Sequence, residues 1–213
     1  MIGSQPITLG RGLTIAKWDA IKGRLRADSY NNDWQIAIEG IQSRFEERFI
    51  KPADAIRERD QNDSGFPEGR GFAIVALDCL LLESLYGYEK GNHTEARQTR
   101  GAFAELLEKK GQFANAFSKG LAGKFAAAVR NGLLHDGETR NGWLIWKGNQ
   151  GDPITMDLRD GRLVLNRDPF HEAVKASVQE YFDRLRSPTD PSSVDLRIRF
   201  MARVNQLCDD SRP

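Results

Sequence analysis

The sequence predicts a mainly helical fold that carries a small antiparallel β element near residues 142–166. Three observations predict it. Apolar residues recur at three- and four-residue steps through most of the chain. One stretch, Gly71 to Tyr88, is apolar nearly all round, as a central helix is. Strand-forming residues concentrate after Asn141, in Trp143-Leu144-Ile145-Trp146 and Ile154-Thr155-Met156-Asp157-Leu158. The 213 residues suit a single domain, with a core over about 33–141, a β-hairpin decoration over about 142–166 and C-terminal helices over about 168–208.

Taken in order, a short first helix carries Ile15, Trp18, Ile21 and Leu25. The second runs from about Asp33 to Ile50, with Trp34, Ile38, Ile41, Phe45 and Phe49 on one face, and Pro52 ends or kinks it. Gln61 to Gly69 is loop chemistry. The central helix follows, interrupted by Asp78 and Glu83 and closed by Gly91. A helix over Thr94 to Lys110 puts Phe103, Leu106 and Leu107 on one side. The next, from Gln112 to about Leu134, spaces Phe113, Phe117, Leu121, Phe125 and Val129 by four. Asp160-Gly161 is a hairpin turn signal before Leu163-Val164-Leu165. Asp168-Pro169 reads as an N-cap with proline at the first helical position, opening a helix to about Arg186 that buries Val174, Val178, Tyr181 and Leu185. Pro188 and Pro191 form a linker to a last helix, about Ser193 to Leu207, on which Arg197, Arg199 and Arg203 read as an ordinary charged surface.

Composition excludes several classes. Lys+Arg (31) nearly cancel Asp+Glu (30), so a polyanion site has to be local rather than global. The two cysteines, Cys79 and Cys208, make no disulfide framework and point to a reducing, cytoplasmic setting. Residues 1–6 lack the basic and apolar regions of a signal peptide. The apolar run from Ala73 to Leu82 is broken by Asp78 and is too short to span a bilayer. Gly120-Leu121-Ala122-Gly123-Lys124 lacks the spacing of a phosphate loop and suits close helix packing instead. His93 and His171 read as surface histidines, no pair has metal-ligand spacing, and neither metal nor cofactor is expected.

The remaining chemistry lies in Arg130-Asn131-Gly132-Leu133-Leu134-His135. Asn131 and His135, four residues apart, share a helical face, and the long Arg130 side chain can swing toward it. An imidazole exchanges protons near neutral pH, a guanidinium grips a phosphate, and an amide orients either. Together they suit cleavage of an RNA phosphodiester through its 2′-hydroxyl, without a metal. The bare spacing carries little information. On spacing alone a polar helix end, with Arg130 covering apolar surface and His135 capping carbonyls, fits it better.

Context adds to it. The segment from Phe113 to Trp146 resembles the last core helix of the HEPN superfamily, whose signature is an arginine, a polar residue and a histidine a few positions on. Here these are Arg130, Asn131 and His135. Gly71 to Tyr88 resembles the family's second core helix, and the resemblance spans about Asp33 to Trp146. It implies an up-and-down four-helix bundle and a homodimer in which two motifs meet in one composite site. It implies a metal-independent endoribonuclease of the toxin or antiviral type, with an antitoxin protein as a partner, or else a non-catalytic binding module. It gives Arg130, Asn131 and His135 as catalytic, with Glu83 and Asp78 as supporting acids on the central helix. From Glu95 to Lys147, nine Lys/Arg face five Asp/Glu, an excess able to track a phosphate backbone through residues such as Lys124 and Arg140. Trp143 could stack on a base, although packing of the hairpin onto the core explains it better.

Overall fold

Thr14 opens the helical part of the chain: its side chain accepts the Lys17 backbone N–H and caps α1 (Ile15–Lys22). Asn31 does the same for α2 (Asn32–Phe45), accepting from Trp34 N–H. The computed structural model describes residues 7–62, 70–92, 99–113, 115–118, 120–148, 151–156, 161–187 and 190–212. It is mainly helical with small β-sheets.

A π turn (Glu46–Ile50) joins α2 directly to α3 (Lys51–Asn62). Pro52 therefore neither ends the helix nor stands in a regular one. The wider turn lies just where a proline's missing N–H leaves a carbonyl without a donor. Next come α4 (Arg70–Lys90), α5 (Thr99–Lys109), α6 (Leu121–Phe125), a second π turn (Ala126–Arg130) and α7 (Asn131–Asp136). The expected continuous helix from Gln112 is thus corrected. Residues 111–113 and 115–117 form turns, and Gly120, at φ 83, sets up the start of α6. Phe113 and Phe117 are nevertheless buried, because the turns aim them into the same core. The chain ends with α8 (Arg167–Arg186) and α9 (Ser192–Ser211).

Two sheets accompany the helices. An N-terminal hairpin pairs β1 (Thr8–Gly10) with β2 (Leu13–Thr14) and was not expected from the sequence. The second sheet has the order β3 (Leu144–Trp146), β5 (Leu163–Asn166), β4 (Ile154–Met156). It is not purely antiparallel: β4 and β5 form the expected hairpin, whereas β3 runs parallel to β5. Asp160 of the turn signal and His93 lie outside the described residues.

Contacts divide the chain into two compact units. The first comprises Met1–Arg48, Gly87–His93 and Gln179–Pro213. Its core stacks Phe45 edge-on to Tyr88 (5.4 Å between centroids) and Phe182 (5.6 Å), with Trp34 against Phe200. The hairpin packs so closely on α2 that a Cβ at Gly10 would collide with the Gly40 carbonyl. Arg197 is no surface residue: it is buried and donates to the carbonyls of Leu185 (2.9 Å), Ser187 (2.9 Å) and Ala27 (3.1 Å).

The second unit comprises Phe49–Tyr86 and Thr94–Val178. Its core gathers Phe103, Phe117, Trp143 and Phe170 around Phe125, with centroids 5.4–6.0 Å apart. By length and composition α4 could cross a membrane, and half of that stretch is buried inside the protein.

Candidate functional site

Arg130 is the last residue of the second π turn, and Asn131 is the first of α7. The widened turn leaves backbone groups without regular partners, and Arg140 N–H supplies one by donating to Ala128 O at 2.8 Å. The segment that delivers this bond crosses α7 at Gly132, where a Cβ would collide with the Glu138 carbonyl oxygen. A glycine at the third position of the motif is therefore a packing requirement. Gly137, at φ 71, ends α7 in the left-handed conformation that permits the chain to turn back.

The Arg130 side chain is held on two sides. Its Nε and Nη2 donate to the two carboxylate oxygens of Glu83 on α4, the latter at 2.9 Å. Its Nη1 donates to Asn131 Oδ1 at 2.9 Å. Only 16% of the Arg130 side chain and 17% of Glu83 are exposed, so the pair is shielded while keeping an open edge. Cys79 lies beneath, buried, with its thiol pKa pushed up by burial first and by Asp78 and Glu83 next. It is a small core residue rather than a nucleophile.

His135 is exposed and makes no hydrogen bond with the described residues. Regular α-geometry from Asn131 to Asp136 puts it one turn beyond Asn131, on the same face. The structure thus joins Glu83, Arg130 and Asn131 by direct bonds and leaves His135 near them in sequence but unattached. Lys124 is exposed, and Arg140 pairs with Asp136. Trp143 is buried to 4% exposure edge-on to Phe125, 6.0 Å between centroids, so its ring is packing material and not open for stacking. Trp146, at 47% exposure, is the more open of the two.

Asp78 belongs elsewhere. It stands five residues from Glu83, about 140° around α4, and its Oδ1 bonds His171 Nδ1 at 2.7 Å. His171 is itself fully buried on α8, which corrects its reading as a surface residue. Its Nε2 meets Asp54 Oδ1 of α3 at 3.2 Å, and Lys175 Nζ meets the same oxygen at 3.2 Å. Burial pulls the imidazolium down, but Asp78 and Asp54 outweigh it and His171 is held above its ordinary pKa. Burial pushes the Asp78 carboxyl up to about 6, against the pull of His171. One proton therefore belongs to the pair near neutral pH.

The same α3–α8 seam continues with further charges. Arg57 pairs with Glu172, and Arg167 pairs with Asp60 and, at 3.2 Å, with Asp168. Asp168 is thus a buried ion-pair member inside α8, not the N-cap expected of it. A signal for this seam existed in the sequence. Asp54, Arg57 and Asp60 are spaced by three, while Arg167, His171 and Lys175 are spaced by four, two charged stripes of helical period.

No protein-family model matches this chain, no curated protein matches it, and no solved structure matches it. Any functional reading therefore stands on the residues themselves.

Proposed function

We propose that this chain is a metal-independent endoribonuclease of HEPN type, a cytoplasmic protein acting as a homodimer on RNA. The observation that supports it most is the bidentate grip of Glu83 on Arg130, with Asn131 on the third side. That grip fixes a guanidinium, still 16% exposed, between α4 and the start of α7. In this reading Arg130 holds the scissile phosphate and stabilises the charge that builds on it. His135 takes the proton of the 2′-hydroxyl, which attacks phosphorus as the bond to the 5′-oxygen breaks. A proton returned to that oxygen completes the step, giving a 2′,3′-cyclic phosphate and a 5′-hydroxyl end. Exposure of His135 suits a site completed by the motif of a second copy. Lys124 and Arg140 would contact the RNA backbone, and an antitoxin protein would restrain the enzyme.

The test is cleavage of RNA in EDTA with detection of the cyclic phosphate. Arg130→Ala and His135→Ala each abolish it, and mixing the two variants restores part of it if the site is composite. Full cleavage by the His135→Ala protein would sink the proposal. A second reading, a non-catalytic module binding RNA, a nucleotide or a partner protein, is favoured by the exposure of His135 and its lack of an orienting bond among the described residues. Saturable binding without cleavage by the wild type would establish it.

A further inference from the structure

Within the first unit, Arg48 of the π turn and Arg203 of α9 each bear electrostatically on Arg44 of α2, and all three bear on Tyr88 of α4, with the Arg203 guanidinium 5.8 Å over its ring. None of the three has a carboxylate partner among the described residues. Arg44 Nη1 donates to Leu9 O at 3.3 Å, and Arg203 Nη1 donates to Gln206 Oε1 at 3.1 Å. Arg48 is exposed. The acids adjacent in sequence are engaged elsewhere: Glu46 accepts from Gln42 at 3.1 Å, and Glu47 is bound by Arg11.

Beneath these charges lie two polar atoms with no partner. Tyr88 Oη and Arg203 Nε are both buried and make no hydrogen bond, and the Arg203 guanidinium sits 5.8 Å over the Tyr88 ring. The Tyr88 side chain is only 2% exposed. Like charges gathered over unmade donors are costly unless an acceptor joins them. Burial first, then Arg48 and Arg203, pull the Arg44 pKa down, while burial pushes Tyr88 up to about 12. The tyrosine therefore keeps its proton and can donate.

We infer that Arg44, Arg48 and Arg203 form a binding site for a phosphoryl oxyanion, free or carried on a small molecule, with the Tyr88 hydroxyl donating at its floor. Three guanidiniums can only donate, their flat forks match the oxygens of a phosphate dianion, and the protonated Tyr88 hydroxyl has a hydrogen to donate beside them. Arg48 is exposed, Arg44 half-buried and Tyr88 buried, so the set runs from the surface inward. The site lies wholly in the first unit and is separate from Arg130.

The whole chain is tested by thermal unfolding in phosphate against chloride at matched ionic strength, and by calorimetric titration with inorganic phosphate and with adenosine 5′-monophosphate. Phosphate raises the midpoint and chloride does not. Arg48→Gln, at an exposed position that tolerates change, weakens binding at least about tenfold, as loss of one charged hydrogen bond does. Tyr88→Phe also weakens it, yet without phosphate the variant is as stable as the wild type or more so, because an unmade donor is gone. Tighter binding of the nucleotide identifies a carried phosphoryl group as the ligand, and equal binding identifies the free oxyanion. Failure of phosphate to stabilise the wild type beyond chloride, or an undiminished effect in both variants, overturns the assignment.

Discussion

Glu83 and Arg130 stand 47 residues apart and meet edge to edge, both carboxylate oxygens accepting from one side of the guanidinium. Removing either partner strands a shielded charge. Glu83→Ala should destabilise the protein by about 2–3 kcal/mol, read from the urea midpoint. The Glu83→Ala/Arg130→Ala double variant should lose no more than the worse single variant, since the charge left behind is gone. Additive losses would show that the pair does not couple.

The Asp78–His171 pair makes stability fall as pH rises. Both groups are held above their unfolded values, so the folded state binds more protons than the unfolded state between the acid range and neutrality. Their contribution is complete below the unfolded carboxylate value of about 4 and is lost as pH rises through 6 and through the raised pKa of His171. The urea midpoint should therefore be higher at mildly acid than at mildly alkaline pH. Asp78→Asn, which removes the raised carboxyl and the main partner holding His171 up, should flatten that slope. A slope unchanged in this variant would place the titrating groups elsewhere.

Arg197 replaces water for three carbonyls at once. Arg197→Leu should cost about 3 kcal/mol, because the acceptors stay buried without a donor. Arg197→Lys should not restore the loss: an ammonium lacks the planar fork that reaches three acceptors. Chemical denaturation of the two variants side by side measures both effects.

Trp143, just before β3, and Trp146, its last residue, should separate cleanly. Trp143→Ala empties the space beside Phe125 and should cost about 3 kcal/mol. Trp146→Ala, at a half-exposed position, should stay within about 0.5 kcal/mol. Thermal melts distinguish them. If RNA binds this face, its affinity falls in the Trp146 variant while the fold is retained.

Much of the helical architecture was legible because apolar spacing reports directly on burial. Trp34, Ile38, Ile41 and Phe45 on α2, and Val174, Val178, Tyr181 and Leu185 on α8, are buried as their period predicts. Phe113 and Phe117 show where periodicity misleads: four-residue spacing persists through turns that merely aim side chains at a common core. The parallel pairing of β3 with β5 was invisible because it joins distant segments rather than a hairpin. Glu83 was legible as an acid in an apolar helix, and Arg130 as its partner only through a family resemblance. His171 and Arg197 were misread for one reason. A charged residue in a helix is normally solvated, and only the fold supplies the carboxylates or carbonyls that permit its burial.

The π turn that ends at Arg130 holds one residue more than a regular turn would. The face of Phe125, locked into the aromatic core, and the face of Arg130 are thereby set independently of each other. Deleting a single alanine from Ala126–Ala128 would close the turn into a regular helix and rotate everything after it by roughly 100°. Arg130 would leave Glu83, and the crossing segment would no longer meet Gly132. The spacing upstream of the motif is thus as much a determinant of the site as the identity of its residues. At this point a change of one residue in chain length would do what no single side-chain replacement does.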